Sequence, residues 1–232
     1  MKRPDAVDAA RVLALGLLAM ALASLLAMAG LPGDAATGVQ QAAFFAAPLI
    51  YARATGLGPW AASGFRRMDP ARLAAVVLAS LALLWILKGL VDLQEEAFRA
   101  LGLGERVEAE RRRIARGVER AGERGGTVYA ALLFAAASPL GEETLFRGIL
   151  LWGLAARWGA ARAIALTAAA FAAAHWKLVQ IPPMVLLGLY FGTVVWLTGS
   201  LWAGIAAHAI NNAAVLVLTF RYGSELPELP TP

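Results

Sequence analysis

The chain has 232 residues, of which 59% are hydrophobic and 16% are charged. A soluble domain of this length carries about 25% charged residues, so the composition excludes an ordinary soluble protein. The net charge of +5 is typical of lysines and arginines that flank membrane segments, and since no basic run is interleaved with aromatic residues, we expect no nucleic-acid partner. The absence of cysteine excludes disulfides and thiolate chemistry.

Six or seven apolar segments follow one another along the chain, and several reach the length of about 20 residues that crosses a bilayer. Their approximate ranges are 7–30, 39–54, 73–93, 127–156, 161–176, 181–198 and 201–220. The first is too long for a signal-peptide core, so we expect a retained helix. The second is the weakest because it is short and contains Pro48, and it could be tilted, re-entrant or interfacial. Without alternating strand patterns, the predicted fold is an all-α membrane protein, a polytopic bundle of about six to eight transmembrane helices.

A charged segment, 94–126, separates the third and fourth apolar segments and holds eight arginines and seven glutamates. Mixed charge at this density predicts a solvated helix outside the bilayer, ended by Gly125 and Gly126. The orientation in the membrane stays open, because arginines flank both ends of the third apolar segment. We expect three regions: N-terminal transmembrane helices with the charged linker, 1–126; a catalytic helical core, 127–220; and a disordered Pro-rich tail, 221–232.

The stretch SPLGEETLFRGILLWG, which begins at Ser138, places three charges within an otherwise apolar run. Ser138 and Pro139 fit the N-cap and the first position of a restarted helix. The dipole of that helix favours the two carboxylates, Glu142 and Glu143, near its N-terminus. Arg147 lies four residues after Glu143, so the two share a helix face and can pair, whereas Glu142 points about 100° away.

Two later apolar segments hold the only histidines of the chain, His175 and His208. Phe171 and Asn212 lie four residues from them, each on the same helix face as its histidine. A charge at mid-bilayer costs roughly 2.5–3.5 kcal/mol, more than the approximately 1 kcal/mol that an interhelical polar contact contributes. We therefore expect these groups to converge with Glu142 on one polar cavity open to water, rather than only to join helices.

Such a set of groups predicts a hydrolase. A glutamate beside a histidine can take a proton from water, and a second histidine with an amide can donate to the oxyanion. Glu142, His175 and His208 are also a feasible zinc set, so metal-assisted and metal-free activation of water both stay open. For Arg147 the expected role is structural, as the counter-ion that orients Glu143.

Three signatures resemble the CPBP family of intramembrane proteases, which includes the CAAX-processing endopeptidase Rce1 and the bacterial Abi proteins. They are EExxxR, FxxxH and HxxxN, found in that order at 142–147, 171–175 and 208–212. The resemblance covers about 127–220. Each signature is short, but the three in order on successive helical segments are specific.

The resemblance implies an endopeptidase that cuts membrane-associated protein substrates within the bilayer, by CAAX-type or C-terminal-tail processing. By position it implies that Glu142 and His175 activate the water and that His208 and Asn212 hold the oxyanion. It implies supporting roles for three more residues, Glu143, Arg147 and Phe171. The family has been described as both glutamic- and metallo-type. We expect an integral protein of a bacterial inner membrane, with the substrate and its prenylation left open.

Two other classes of protein stay open. Carboxylates and histidines within membranes also mark transporters and proton relays. Transporters often show paired broken helices in two repeated halves, whereas this chain has one Pro-broken polar segment. The third hypothesis is a catalytically silent immunity or scaffold protein that keeps the same fold.

Overall fold

The computed structural model describes residues 3–175 and 178–223. Within them the chain forms helices and no strand, which confirms the predicted all-α class. In chain order the α-helices are α1 (Ala6–Met28), α2 (Gly33–Ala54), α3 (Pro59–Ala62), α4 (Pro70–Ala100), α5 (Gly104–Ala131), α6 (Ser138–Glu143), α7 (Leu150–Trp158), α8 (Ala160–Ala174), α9 (Ile181–Thr198) and α10 (Leu201–Tyr222). Eight of these have nine residues or more. Residue 176 and the predicted tail from residue 224 onward lie outside the described residues.

Four of the described helices, α1, α4, α9 and α10, are long and apolar enough to cross a membrane by length and composition. Helix α8 is apolar but shorter. The weak second segment forms a 22-residue helix, α2, in which Pro48 is buried and does not end the helix. An integral membrane bundle is therefore the architecture that the apolar segments produce.

The charged segment 94–126 was predicted to form one helix, but the structure divides it between two helices. Helix α4 continues to Ala100, and α5 begins at Gly104 after a turn in which Gly102 has a φ of 74°. Buried Glu95 of α4 accepts hydrogen bonds from Arg111 of α5, each oxygen at 2.9 Å, and so fastens the two helices together. Gly126 breaks the helical geometry with φ 79° and ψ 173°, close to the predicted end of the linker.

The polar fourth segment is a helix of changing pitch. A π-helical turn, Leu132–Ala137, leads into α6, and a second π-helical turn, Thr144–Ile149, leads into α7. The prediction that Ser138 caps a restarted helix is wrong. Ser138 has helical angles, φ −61° and ψ −52°, and its side chain makes no capping bond, because the π-helical turn carries the chain into α6 without a break.

Close helix packing holds the core around this segment. Helix α8 packs on α9, where a Cβ added to Gly188 would lie 2.8 Å from the Cα of Ala168. Helix α10 contacts α4, α6 and α9. A Cβ added to Gly204 of α10 would lie 2.9 Å from a carboxylate oxygen of Glu143. These contacts bring α6, α8, α9 and α10 together, and all the predicted site residues lie on or beside them.

Candidate active site

Glu143 lies at the centre of a buried ionic network. Its Oε1 accepts a hydrogen bond from Nη1 of Arg147 at 3.0 Å and lies 3.0 Å from Nδ1 of His208. The side chains of Glu143 and Arg147 are both 0% exposed. The pair predicted from the four-residue spacing is therefore present, and the network extends it to α10.

Arg147 is held by more than its carboxylate partner. Its Nη2 donates to the carbonyl of Gly188 on α9 at 3.1 Å. Its guanidinium carbon lies 4.5 Å from the ring centre of Phe171 and 5.5 Å from that of Phe191. An ion pair, a carbonyl and aromatic faces thus compensate the burial of the guanidinium charge.

The network also fixes the orientation of His208. A carboxylate only accepts hydrogen bonds, so Nδ1 of His208 carries the proton that faces Glu143. The imidazole stacks on Phe191, with ring centres 4.7 Å apart and planes at 16°. Its Nε2 therefore points to the second carboxylate, with Oε2 of Glu142 at 3.9 Å.

Glu142 differs from Glu143 in exposure and in partners. Its side chain is 12% exposed, and its Oε1 accepts a hydrogen bond from Nε2 of Gln41 at 2.9 Å. One oxygen is thus fixed by α2, while Oε2 lies beside Nε2 of His208. The two atoms are close enough for one water molecule to contact both.

Gln41 was missed by the sequence analysis. It lies 101 residues before Glu142, and nothing in its surroundings distinguishes it from a residue at the end of a helix. The one relevant signal is Gly141, because a Cβ there would lie 2.6 Å from the carbonyl oxygen of Gln41. Glycine before the two glutamates indicates that another helix approaches closely, but it does not identify the partner.

Gly141→Ala should disturb this contact. The added methyl group would meet the backbone of Gln41, so α2 and α6 must separate and the Gln41–Glu142 hydrogen bond weakens. Overpacking of this kind costs about 1–3 kcal/mol, and we expect a lower melting temperature in detergent together with lower turnover. The matched control is Gly89→Ala on α4, where a Cβ meets nothing within 4 Å. Equal behaviour of the two variants would show that the close approach is unimportant.

The amide of Asn212 takes the place of a backbone N–H that a proline lacks. In the first π-helical turn the N–H of Ser138 bonds the carbonyl of Leu133, five residues back. The same pattern would give Phe134 the N–H of Pro139, which has none. Nδ2 of Asn212 donates to the carbonyl of Phe134 instead, at 2.8 Å. This bond uses one N–H of the amide and leaves the other for a ligand.

His175 lies at the C-terminal end of α8, where its ring contacts Phe171. Its Nδ1 lies 2.9 Å from the carbonyl of Phe171, so the proton is on Nδ1 and Nε2 is a free proton acceptor. The ring of Phe171 contacts His175 and His208, with centres 4.8 Å and 5.7 Å apart. Phe171 thus fixes the positions of both histidines as well as that of Arg147.

His175 and Asn212 line a cavity of about 750 Å³, which is also bordered by residues of α2 and α5. Glu142 and His208 are not among the described residues that line this cavity. Glu142 therefore lies beside His208, whereas His175 and Asn212 share the lining of the cavity. Helix α10 connects the two places, because Asn212 lies one turn after His208, and the ring of Phe171 contacts both histidines.

The predicted zinc set does not form a ready ligand cluster. Within 3–175 and 178–223, no three His, Asp or Glu side chains are grouped so that they could hold a metal ion. Each histidine bonds an oxygen through Nδ1, which leaves its Nε2 available, so the separation of the three side chains, and not an occupied nitrogen, prevents a shared site. As they are arranged, Glu142, His175 and His208 do not fit a shared zinc ion.

Four membrane-length helices and a buried Glu–Arg–His network beside a cavity define an integral membrane protein with a polar site inside its helical core. The family model described as Type II CAAX prenyl endopeptidase Rce1-like matches residues 124–214. The matched region contains the three signatures, so the match confirms the resemblance predicted from them. No curated protein and no solved structure matches the chain.

Proposed function

We propose that the protein is an intramembrane endopeptidase that hydrolyses a peptide bond near the C-terminus of membrane-associated proteins. The family match supports a CAAX-type protease with membrane-associated substrates. The observation that carries the chemistry is the placement of Glu142, with one oxygen bound to Gln41 and the other 3.9 Å from Nε2 of His208. We extend the proposal to the inner membrane of a bacterium as its location.

The proposed reaction begins with water bound beside Oε2 of Glu142. The carboxylate takes a proton from this water while the oxygen attacks the carbonyl carbon of the substrate, and the proton then passes to the departing amine. His175 lines the cavity, where its Nε2 can accept a hydrogen bond from bound substrate or water, and in this proposal it supports the step from there. No covalent bond to the enzyme is formed, so the new carboxylate takes its added oxygen from water.

The oxyanion is stabilised by two groups on α10 in this proposal. Asn212 donates its second N–H, since the first is bound to Phe134. His208 donates from Nε2 when it is protonated, and Glu143 stabilises that imidazolium through Nδ1. Arg147 acts through Glu143 as a positioning residue.

A cleavage assay with the purified protein in liposomes tests the function. The substrates are peptides that end in a membrane-anchored tail, with and without a prenyl group, and the products are identified by mass spectrometry. We expect a new C-terminus a few residues from the end of the peptide. Proton or solute flux without cleavage would instead support the transporter hypothesis, and the absence of both would support a scaffold.

A further inference from the structure

One wall of the 750 Å³ cavity is positively charged. Helix α5 contributes Arg113, Arg120 and Arg124 to the lining, and α2 contributes Asp34. Nε of Arg124 lies 3.4 Å from Oδ2 of Asp34, and the same oxygen accepts a hydrogen bond from Tyr129 at 2.9 Å. The charge of Arg124 is therefore balanced inside the cavity wall.

The other two arginines of the wall keep their charge available. In the part of the chain that the structure describes, neither Arg113 nor Arg120 forms an ion pair with a carboxylate. Nε of Arg120 donates to the carbonyl of Arg116, which leaves its terminal nitrogens free. The two arginines are seven residues apart, about two helical turns, so both lie on the face of α5 that borders the cavity.

The rest of the lining combines apolar and catalytic groups. The same cavity is lined by Ile114 and Val118 of α5 and by Val215 and Leu216 of α10. His175 and Asn212 also line it. A ligand suited to this space has an apolar body, an anionic end and a polar bond near the histidine. A peptide tail that ends in a free carboxylate has all three features.

We infer that Arg113 and Arg120 bind the free C-terminal carboxylate of the substrate tail. Guanidinium groups match a carboxylate in geometry and charge, and such charge-assisted hydrogen bonds are about twice as strong as neutral ones. An extended chain advances about 3.3–3.6 Å per residue, so a fixed carboxylate determines which peptide bond reaches His175 and Asn212. This inference depends on the proposed function and specifies how the tail is recognised.

Paired peptides test the inference. One ends in a free carboxylate and the other, of identical sequence, ends in an amide. For the wild type in phosphatidylcholine liposomes we expect amidation to raise KM by about tenfold, the effect of one lost charge-assisted contact. The double variant Arg113→Gln, Arg120→Gln should bind the acid as weakly as the wild type binds the amide, and should not distinguish the two peptides.

Arg116→Gln is the matched control, because Arg116 is exposed on the same helix and does not border the cavity. This variant should keep the wild-type preference for the acid. Melting temperatures of all the variants should match the wild type, since the substituted side chains are exposed. Equal KM values for acid and amide with the wild type would overturn the inference, as would a preference that survives in the double variant.

Two further experiments complete the test. The first distinguishes binding of the peptide from its cleavage, and the second distinguishes a peptide ligand from a lipid. Binding of both peptides to the Glu142→Gln variant, measured by fluorescence anisotropy, tests recognition without cleavage. A wild type that cleaves neither peptide while Glu142→Gln still prefers the acid would contradict the proposed function but support the carboxylate site.

Addition of phosphatidylglycerol tests a lipid phosphate as the ligand. If the lipid binds the wild type more strongly than the double variant while KM is the same for the acid and the amide, the arginines bind lipid and the inference is wrong.

Discussion

Glu142→Gln should lower turnover by about 100- to 10,000-fold, the usual contribution of a general base, while the melting temperature stays near that of the wild type. Glutamine has the same shape, and its side-chain oxygen can still accept the hydrogen bond from Gln41. Glu142 is 12% exposed and is not bonded to Arg147, so no buried charge loses its partner. The measurements are kcat at saturating peptide and the melting temperature in detergent.

Glu143→Gln is the control for this experiment. Glu143 is fully buried and is bonded to both Arg147 and His208, so its neutralisation leaves the guanidinium charge without a counter-ion. We expect this variant to lose stability as well as activity, unlike Glu142→Gln. Substantial turnover by Glu142→Gln, in an assay where the wild type is active, would show that Glu142 is not the base.

Arg147→Ala should destabilise the protein by about 3–5 kcal/mol, because it leaves the buried carboxylate of Glu143 without its guanidinium counter-ion and with only His208 as a partner. The variant also empties a space bordered by Phe171 and Phe191 and removes the hydrogen bond to Gly188. Activity should fall with stability, since Glu143 no longer holds His208 in place. Denaturant unfolding in detergent micelles and turnover measure the two effects.

Two further variants show whether the loss of stability depends on the guanidinium group of Arg147. Arg147→Lys keeps the charge, but one ammonium cannot reproduce the planar fork that reaches both Glu143 and Gly188, so we expect an intermediate loss of stability. Arg157→Ala on α7 removes an exposed arginine and should leave the melting temperature unchanged. Lost activity at unchanged stability in Arg147→Ala would give Arg147 a direct catalytic or substrate-binding role instead.

Local spacing explains why part of the site could be predicted. Glu143 and Arg147 lie four residues apart on one helix, and the pair forms as helical geometry requires. The same spacing relates Phe171 to His175, and those two rings are in contact. Apolar segment length likewise predicted an all-helical chain, because the backbone of a membrane segment must satisfy its own hydrogen bonds.

Contacts between distant helices could not be predicted in the same way. The sequence does not show that α2 places Gln41 against Glu142, or that His208 bonds Glu143 through one nitrogen and faces Glu142 with the other. Pro139 predicted a disturbed helix but not the π-helical turn, nor the amide of Asn212 that takes the place of the missing N–H. These features depend on helix packing, which a spacing rule along one helix does not contain.

In the proposed mechanism Glu142 activates water and does not itself attack the peptide bond. A single turnover in H₂¹⁸O, with enzyme in excess over peptide, tests this role most directly by mass spectrometry of product and enzyme. We predict one ¹⁸O atom in the newly formed carboxylate of the product and none in the enzyme peptide that contains Glu142. A product without ¹⁸O, together with label in the Glu142 side chain, would contradict the mechanism.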